Sequence, residues 1–318
     1  MALDYNHTID IIEDIDLSHF EENYLIPQKP VILRGLLKGT KAYDEWNFEY
    51  FKHVAGDLTI GVFENREEDL DKTMKVPHRK LKFADYLDLI ATTPTDLRIH
   101  LWNIFKDCPQ LMDDFEFPPI NTTFLKGFPY MFFGGQGSVA RMHQDIDMSN
   151  VFLTQFEGKR RVVLFAPEYS PLLYRYPLNV HTGVNVTKPD YDRFPGLNYV
   201  KGYECEIKHG DTLFMPGEYW HYIEYTEGGF GMSLRSLNPH LSKRFKGLMN
   251  ISVRQAVDWS MRRAMGDRWF ETKQQIADRR AKAAMRKFSK EESELIPQLV
   301  LGSENKLSKN IPVRKVVF

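Results

Sequence analysis

Apolar residues recur along this chain with two different periods, and the dominant period changes twice. Up to about residue 125, stretches such as LSHFEENYLI, NFEYFKHV and KFADYLDLIATT carry apolar residues three to four apart, as one helix face requires, between short β-rich runs such as PVILRGL and LTIGVF. From Tyr130 to Pro239 the pattern becomes short alternating runs punctuated by glycine, proline and aspartate: YMFFGG, SVARMH, NVFLTQF, RRVVLFAP, YECEIK, TLFMP, WHYIEY and FGMSLRSL. Eight such runs predict a sandwich or barrel. The stretch from Pro167 to Gly202 is too long for a turn, and it is expected to form a surface loop over one mouth of that barrel. After residue 240, Phe245, Leu248, Met249, Ser252, Val253, Ala256, Val257 and Met261 return to helical spacing, and Ser289 with Glu292 fits a capping box. The expected division is therefore 1–125, an α/β lead-in packed on the core; 126–240, a β core; and 241–318, a helical region that pairs with a second copy through its apolar stripe.

Charge changes this picture only when it is counted by region. The whole chain has 42 Lys and Arg against 43 Asp and Glu, which argues against a generic polyanion binder. Residues 240–318, however, hold 18 basic against 8 acidic residues, leaving 24 against 35 in the rest. A basic tail on an acidic body folds back on that body, pairs with a second copy, or contacts an acidic partner such as RNA. No run approaches the eighteen or so apolar residues of a membrane helix, and the opening MALDYNHTIDIIEDIDL is acidic where a secretion signal is basic and then apolar. Cys108 and Cys205 have no spacing suited to a metal knuckle or a disulfide framework. The expectation is a cytoplasmic chain with no membrane contact.

Ten histidines and 22 aspartates make one His-x-Asp triplet ordinary by chance. There are two, His143-Gln144-Asp145 and His209-Gly210-Asp211. The first lies at a predicted strand exit, and His221 follows 76 residues later inside WHYIEY, with room for intervening strands. Two histidines and one carboxylate brought to one face suit non-haem Fe(II). The second triplet sits in the turn that feeds TLFMP, where a turn-forming role is expected for His209. A hydrogen-bonded pair at a barrel rim, with His221 as a satisfied core histidine, is the competing account of the first set.

Around these residues the features GGQGSVARMHQD, Asn150, EGKRRVVLFAP, PDYDRFPGL, GYECEIKHGDTLFMPGEYWHYIE and GGFGMSLRSLNP follow in order. Over residues 125 to 240 the sequence resembles the cupin-like branch of the JmjC oxygenases, the group that includes the asparaginyl hydroxylase acting on hypoxia-inducible factor. The resemblance implies a mainly β protein, a double-stranded β-helix (jelly roll), with Fe(II) held by His143, Asp145 and His221 and with 2-oxoglutarate as cosubstrate. It also implies that Asn150 helps to hold the cosubstrate. Where relatives bind its far carboxylate with lysine this chain has Arg160, and Arg235 competes for the same role. Relatives' threonine before the first histidine is Ala140 here, so Tyr130 is a candidate for the missing hydroxyl contact. Trp220 is expected to wall the substrate pocket. Hydroxylation of a protein or peptide side chain is the leading expectation. A modified RNA base, a non-catalytic cupin used as a binding module, and methyl-lysine demethylation are the alternatives.

Overall fold

The protein is described by a computed structural model that covers residues 3–66 and 76–307, with side chains to residue 288. Its first strands are β1 (Asp4–His7), β2 (Asp10–Glu13) and β3 (Val31–Arg34), the last two built on branched apolar residues. In β3, Val31, Ile32 and Leu33 are all buried. Two short helices, α1 (Leu17–Phe20) and α2 (Lys41–Glu45), are each opened by a side chain accepting from a backbone N–H, Asp16 and Thr40 respectively. Helix α3 (Phe48–Ala55) is capped in the same way, Asn47 Oδ1 accepting from Tyr50 N at 2.8 Å. Strands β4 (Thr59–Val62) and β5 (Arg79–Lys82) form a separate hairpin-like pair. Helix α4 (Phe83–Thr92) buries Phe83, Tyr86, Leu87 and Ile90, the i, i+3, i+4, i+7 face its sequence predicts.

The remaining strands are β6 (Arg98–Trp102), β7 (Tyr130–Gly134), β8 (Val139–His143), β9 (Asn150–Phe165), β10 (Lys201–Ile207), β11 (Asp211–Met215) and β12 (Trp220–Ser236). One path of pairing runs β2-β3-β11-β9-β12-β7-β6, while β10 joins the far half of β9, β8 joins the first half of β12, and β1 pairs with β10. Residues 150–155 of β9 pair with β11 and with the end of β12. Residues 160–165 pair with β10 and with the start of β12. Two long strands thus pass through both faces of a β sandwich, which is the double-stranded β-helix.

Here eight predicted strands become six. NVFLTQF and RRVVLFAP are halves of β9, and WHYIEY and FGMSLRSL are halves of β12. The intervening EGK and TEGG read as turns in sequence, but they are bulges at which the paired strands bend from one face to the other. Gly158 has φ +68°, and a Cβ there would stand 2.3 Å from the Gly228 carbonyl oxygen, so the corner requires glycine.

The connection 166–200 does reach the barrel mouth, Val180 and His181 lining the cavity, but it is packed and not a surface loop. Leu172, Leu173, Tyr174, Tyr176 and Leu197 are buried with Trp220 and Tyr222 against Ala277 and Ala281 of the C-terminal helices. Its own apolar content, spread among tyrosines and prolines without a period, disguised this. Those helices are α5 (Leu241–Met249), α6 (Gln255–Met265) and α7 (Asp267–Leu307). Ser289 and Glu292 fall in the part of α7 whose side chains lie outside the described residues. Among the described residues no helix is long and apolar enough to cross a membrane.

Candidate metal centre

His143 is the last residue of β8 and His221 the second of β12, and the antiparallel pairing sets them directly opposite each other. Their ring centroids are 4.2 Å apart. Asp145 follows two residues beyond the strand end, and one donor atom from each of the three lies within 4.8 Å of the others. Bonds of about 2 Å to a shared cation close such a spacing. Each histidine is oriented by its own strand: His143 Nδ1 donates to the Arg141 carbonyl at 2.7 Å, and His221 Nδ1 to the Tyr219 carbonyl at 3.2 Å. Because a carbonyl only accepts, each Nδ1 carries the proton and each Nε2 keeps its lone pair for a metal.

Charge is arranged to the same end. Burial pushes the His143 pKa well below the ordinary histidine range, helped by His221, so the ring is neutral at physiological pH. Burial acts to raise Asp145, but the Arg235 guanidinium and the two histidines outweigh it and hold the carboxyl below its usual range. Arg235 Nη2 donates to Asp145 Oδ1 at 3.2 Å, while its Nη1 donates to Asp147 Oδ1 at 3.0 Å and to Ser149 Oγ at 3.0 Å. Asp147 therefore braces Arg235. A neutral His143 imidazole beside an ionised Asp145 carboxylate suits a divalent cation.

The three residues open onto a cavity of about 190 Å³. Strand alternation decides which neighbours join them: Ile223 and Tyr225 share the His221 face of β12, Val151 and Leu153 face inward from β9, and Arg160 follows past the bulge. Arg160 is 1% exposed. Its Nε donates to Gln155 Oε1, its Cζ lies 5.3 Å from the Tyr225 ring centroid, and its buried Nη2 has no hydrogen-bond partner. No carboxylate pairs with it among the described residues.

Other candidates are placed differently. Trp220, adjacent to His221 on an extended strand, points to the opposite face, where its Nε1 donates to Ser170 Oγ at 2.9 Å; it is core, not pocket wall. Asn150 has the parity opposite to Val151 and does not line the cavity; its Oδ1 accepts from Gly217 N at 2.8 Å, tying down the loop that leads to His221. Tyr130 pairs across β12 with Ser233, on the cavity side of the sheet, but it is not part of the lining. His209 does form a turn: its Nδ1 donates to the Phe156 carbonyl at 2.8 Å, beside Gly210 at φ +82°. No motif marked His181, which bridges to His143 from the 166–200 connection with rings stacked 5.8 Å apart. Arg98 and Arg141, two further lining residues, were also missed.

A profile of the cupin-like domain matches residues 17–251, well over half of the chain. The chain belongs to the cupin-like domain family. Lysine-specific demethylase 8 of Xenopus tropicalis is 27% identical to this cupin-like chain over 240 residues, 73% of the chain and 53% of the relative. The human tRNA wybutosine-synthesizing protein 5 is 26% identical over 246 residues, 70% and 76% of the two. JmjC domain-containing protein D of Dictyostelium discoideum is 25% identical over 243 residues, 68% and 53%. This cupin-like chain spans about half the length of the demethylase relative it matches.

Proposed function

We propose that this chain is an Fe(II)- and 2-oxoglutarate-dependent dioxygenase that hydroxylates a side chain of a protein or peptide. One observation carries the reading: His143, Asp145 and His221 converge on a cavity that also holds a buried arginine without an anion. The donor set fits Fe(II), leaving positions for cosubstrate and oxygen. Arg160 fits the far carboxylate of 2-oxoglutarate, since its idle Nη2 can complete a two-pronged grip on a carboxylate. Arg235 fits that role less well, being already engaged by Asp145 and Asp147. When bound, the iron and 2-oxoglutarate supply oxidation of an unactivated C–H bond. The protein's own residues do the rest: the histidines present Nε2, Arg235 keeps Asp145 ionised and oriented, and the apolar wall of Val151, Leu153 and Ile223 limits water around the site.

The acidic excess of residues 1–239 favours a polypeptide over a polyanion, while the basic tail supports hydroxylation of an RNA base as a second reading. A non-catalytic module would have no need of a prearranged, charge-tuned donor set. We further propose a homodimer through α5 and α6. The free thiols Cys108 and Cys205 fit a reducing, cytoplasmic setting. Anaerobic titration with Fe(II) and 2-oxoglutarate tests the core of the reading. A visible charge-transfer band of the chelated 2-oxo acid is expected, and it is lost in Asp145→Ala. Its absence from folded protein would leave the binding-module account standing.

A further inference from the structure

The cavity wall carries four arginines, Arg98, Arg141, Arg160 and Arg235, against a single carboxylate, Asp145. Arg235 is neutralised by Asp145 and Asp147. Arg160, the deepest, is matched by the cosubstrate in the function proposed above. Neither pairing accounts for Arg98.

Arg98 is the residue that stands out. It is 8% exposed, on β6, the edge strand of the sheet, and its guanidinium makes one side-chain hydrogen bond, to the neutral Asn65 Oδ1. It has no ion pair among the described residues. Burial brings its pKa down to about 10, with Arg141 adding to the fall, so it still carries its charge at neutral pH. A buried guanidinium that faces a cavity with most of its N–H groups uncommitted is a poor structural element and a good anion receptor. The same strand carries Leu101 at φ +53°, a conformation costly for a bulky residue, 48% exposed and also lining the cavity. The two arginines stand on different strands: Arg160 on the central strand β9, and Arg98 on β6 at the end of the pairing path.

We propose that Arg98 recognises an oxyanion, a carboxylate or a phosphate, carried by the prime substrate and held in the same cavity as the 2-oxoglutarate. The inference rests on the dioxygenase reading and names the chemistry of its substrate. The acidic excess of residues 1–239 makes that oxyanion a single group on the substrate, not one of a polyanionic chain.

The test uses the full chain loaded anaerobically with Fe(II) and 2-oxoglutarate. The visible band is recorded first, and then inorganic phosphate or N-acetylaspartate amide is titrated by calorimetry. Saturable binding of at least one probe is expected, weakened tenfold or more in Arg98→Met and several-fold in Arg98→Lys, which keeps the charge but loses the planar fork. The probe that binds distinguishes phosphate from carboxylate. If Arg98→Met does not fold by circular dichroism, Arg98→Lys and the wild-type titration decide. A band without binding of either probe, or binding equal in wild type and variants, overturns this inference alone. Loss of 2-oxoglutarate binding in Arg98→Met with retention in Arg160→Met also overturns it, by giving Arg98 to the cosubstrate. Absence of the band from wild type sinks the dioxygenase reading itself.

Discussion

Two arginines divide between them the work of one site, and replacing each has a different signature. On the proposal that Arg160 meets the far carboxylate, Arg160→Met is expected to lower the affinity for 2-oxoglutarate about 100-fold, two to three kcal/mol for a charged hydrogen-bonded partner, while Fe(II) binding persists. Arg235→Met instead leaves Asp145 buried beside Asp147, and Fe(II) affinity is expected to drop about 10- to 100-fold. Calorimetry with each ligand in turn separates the two, and equal losses of both ligands in both variants would contradict the division. The convergence of His143, Asp145 and His221 was legible because an His-x-Asp at a strand exit and a histidine on a later strand can be brought to one face. Period-two alternation also contained the fate of Trp220, since a residue next to His221 in a strand faces away from it. Arg235 was not legible in the same way: its acidic partners lie 88 and 90 residues earlier, and no local pattern marks them.

At the level of elements, the N-terminal helices and the C-terminal helix α5 are each fixed by one polar or close contact that sequence does not show. Asp114 gathers α2 and α3, accepting from Trp46 Nε1 at 2.8 Å, Tyr50 Oη at 2.6 Å and Lys41 Nζ at 3.0 Å. Burial acts to raise its pKa, but these three donors win and hold it below the ordinary value. A depressed carboxylate stabilises the fold above its unfolded pKa of about 3.9, and loses that contribution as pH falls through the folded value. Asp114→Asn is thus expected to lower stability by about 1–3 kcal/mol at pH 7, with the gap to wild type closing below about pH 4 in urea melts. Helix α5 meets the loop that carries Asp145 at Gly247, where a Cβ would stand 2.1 Å from the Asp147 carbonyl oxygen. Helix propensity alone makes Gly247→Ala stabilising by about 1 kcal/mol. The backbone clash, typically about 1–3 kcal/mol, opposes it and wins, so a lower Tm together with weakened Fe(II) binding is expected. A raised Tm would show that α5 yields without disturbing the loop. The helical spacing of α3, α4 and α5 was readable, whereas the fusion of strand pairs into β9 and β12 was not, because a glycine bulge and a glycine turn have the same composition.

For the whole molecule, the basic tail and acidic body meet in only part of the available surface. Lys243 and Lys246 of α5 pair with Glu218, which precedes His221 by three residues; Arg193 and Asp278, 2.9 Å apart, tie α7 to the body with the charges reversed. These contacts fold the tail back, as one reading of the charge asymmetry requires. They leave an apolar stripe on the other side of α5 and α6: Leu241, Phe245, Leu248 and Trp259 are 74%, 64%, 62% and 62% exposed, with Ile251 between them. Four large side chains this open, continuous along two successive helices, form a patch that monomeric proteins rarely leave to water. A second copy is the economical cover, because an isologous contact presents each stripe with an equally apolar one. Light scattering is therefore expected to show a species of twice 37.3 kDa at micromolar concentration. Phe245→Glu with Leu248→Glu is expected to convert it to monomer with little change in Tm, since both side chains are mostly exposed in their own chain. A wild-type monomer, or a double variant that remains dimeric, would remove α5 from the interface.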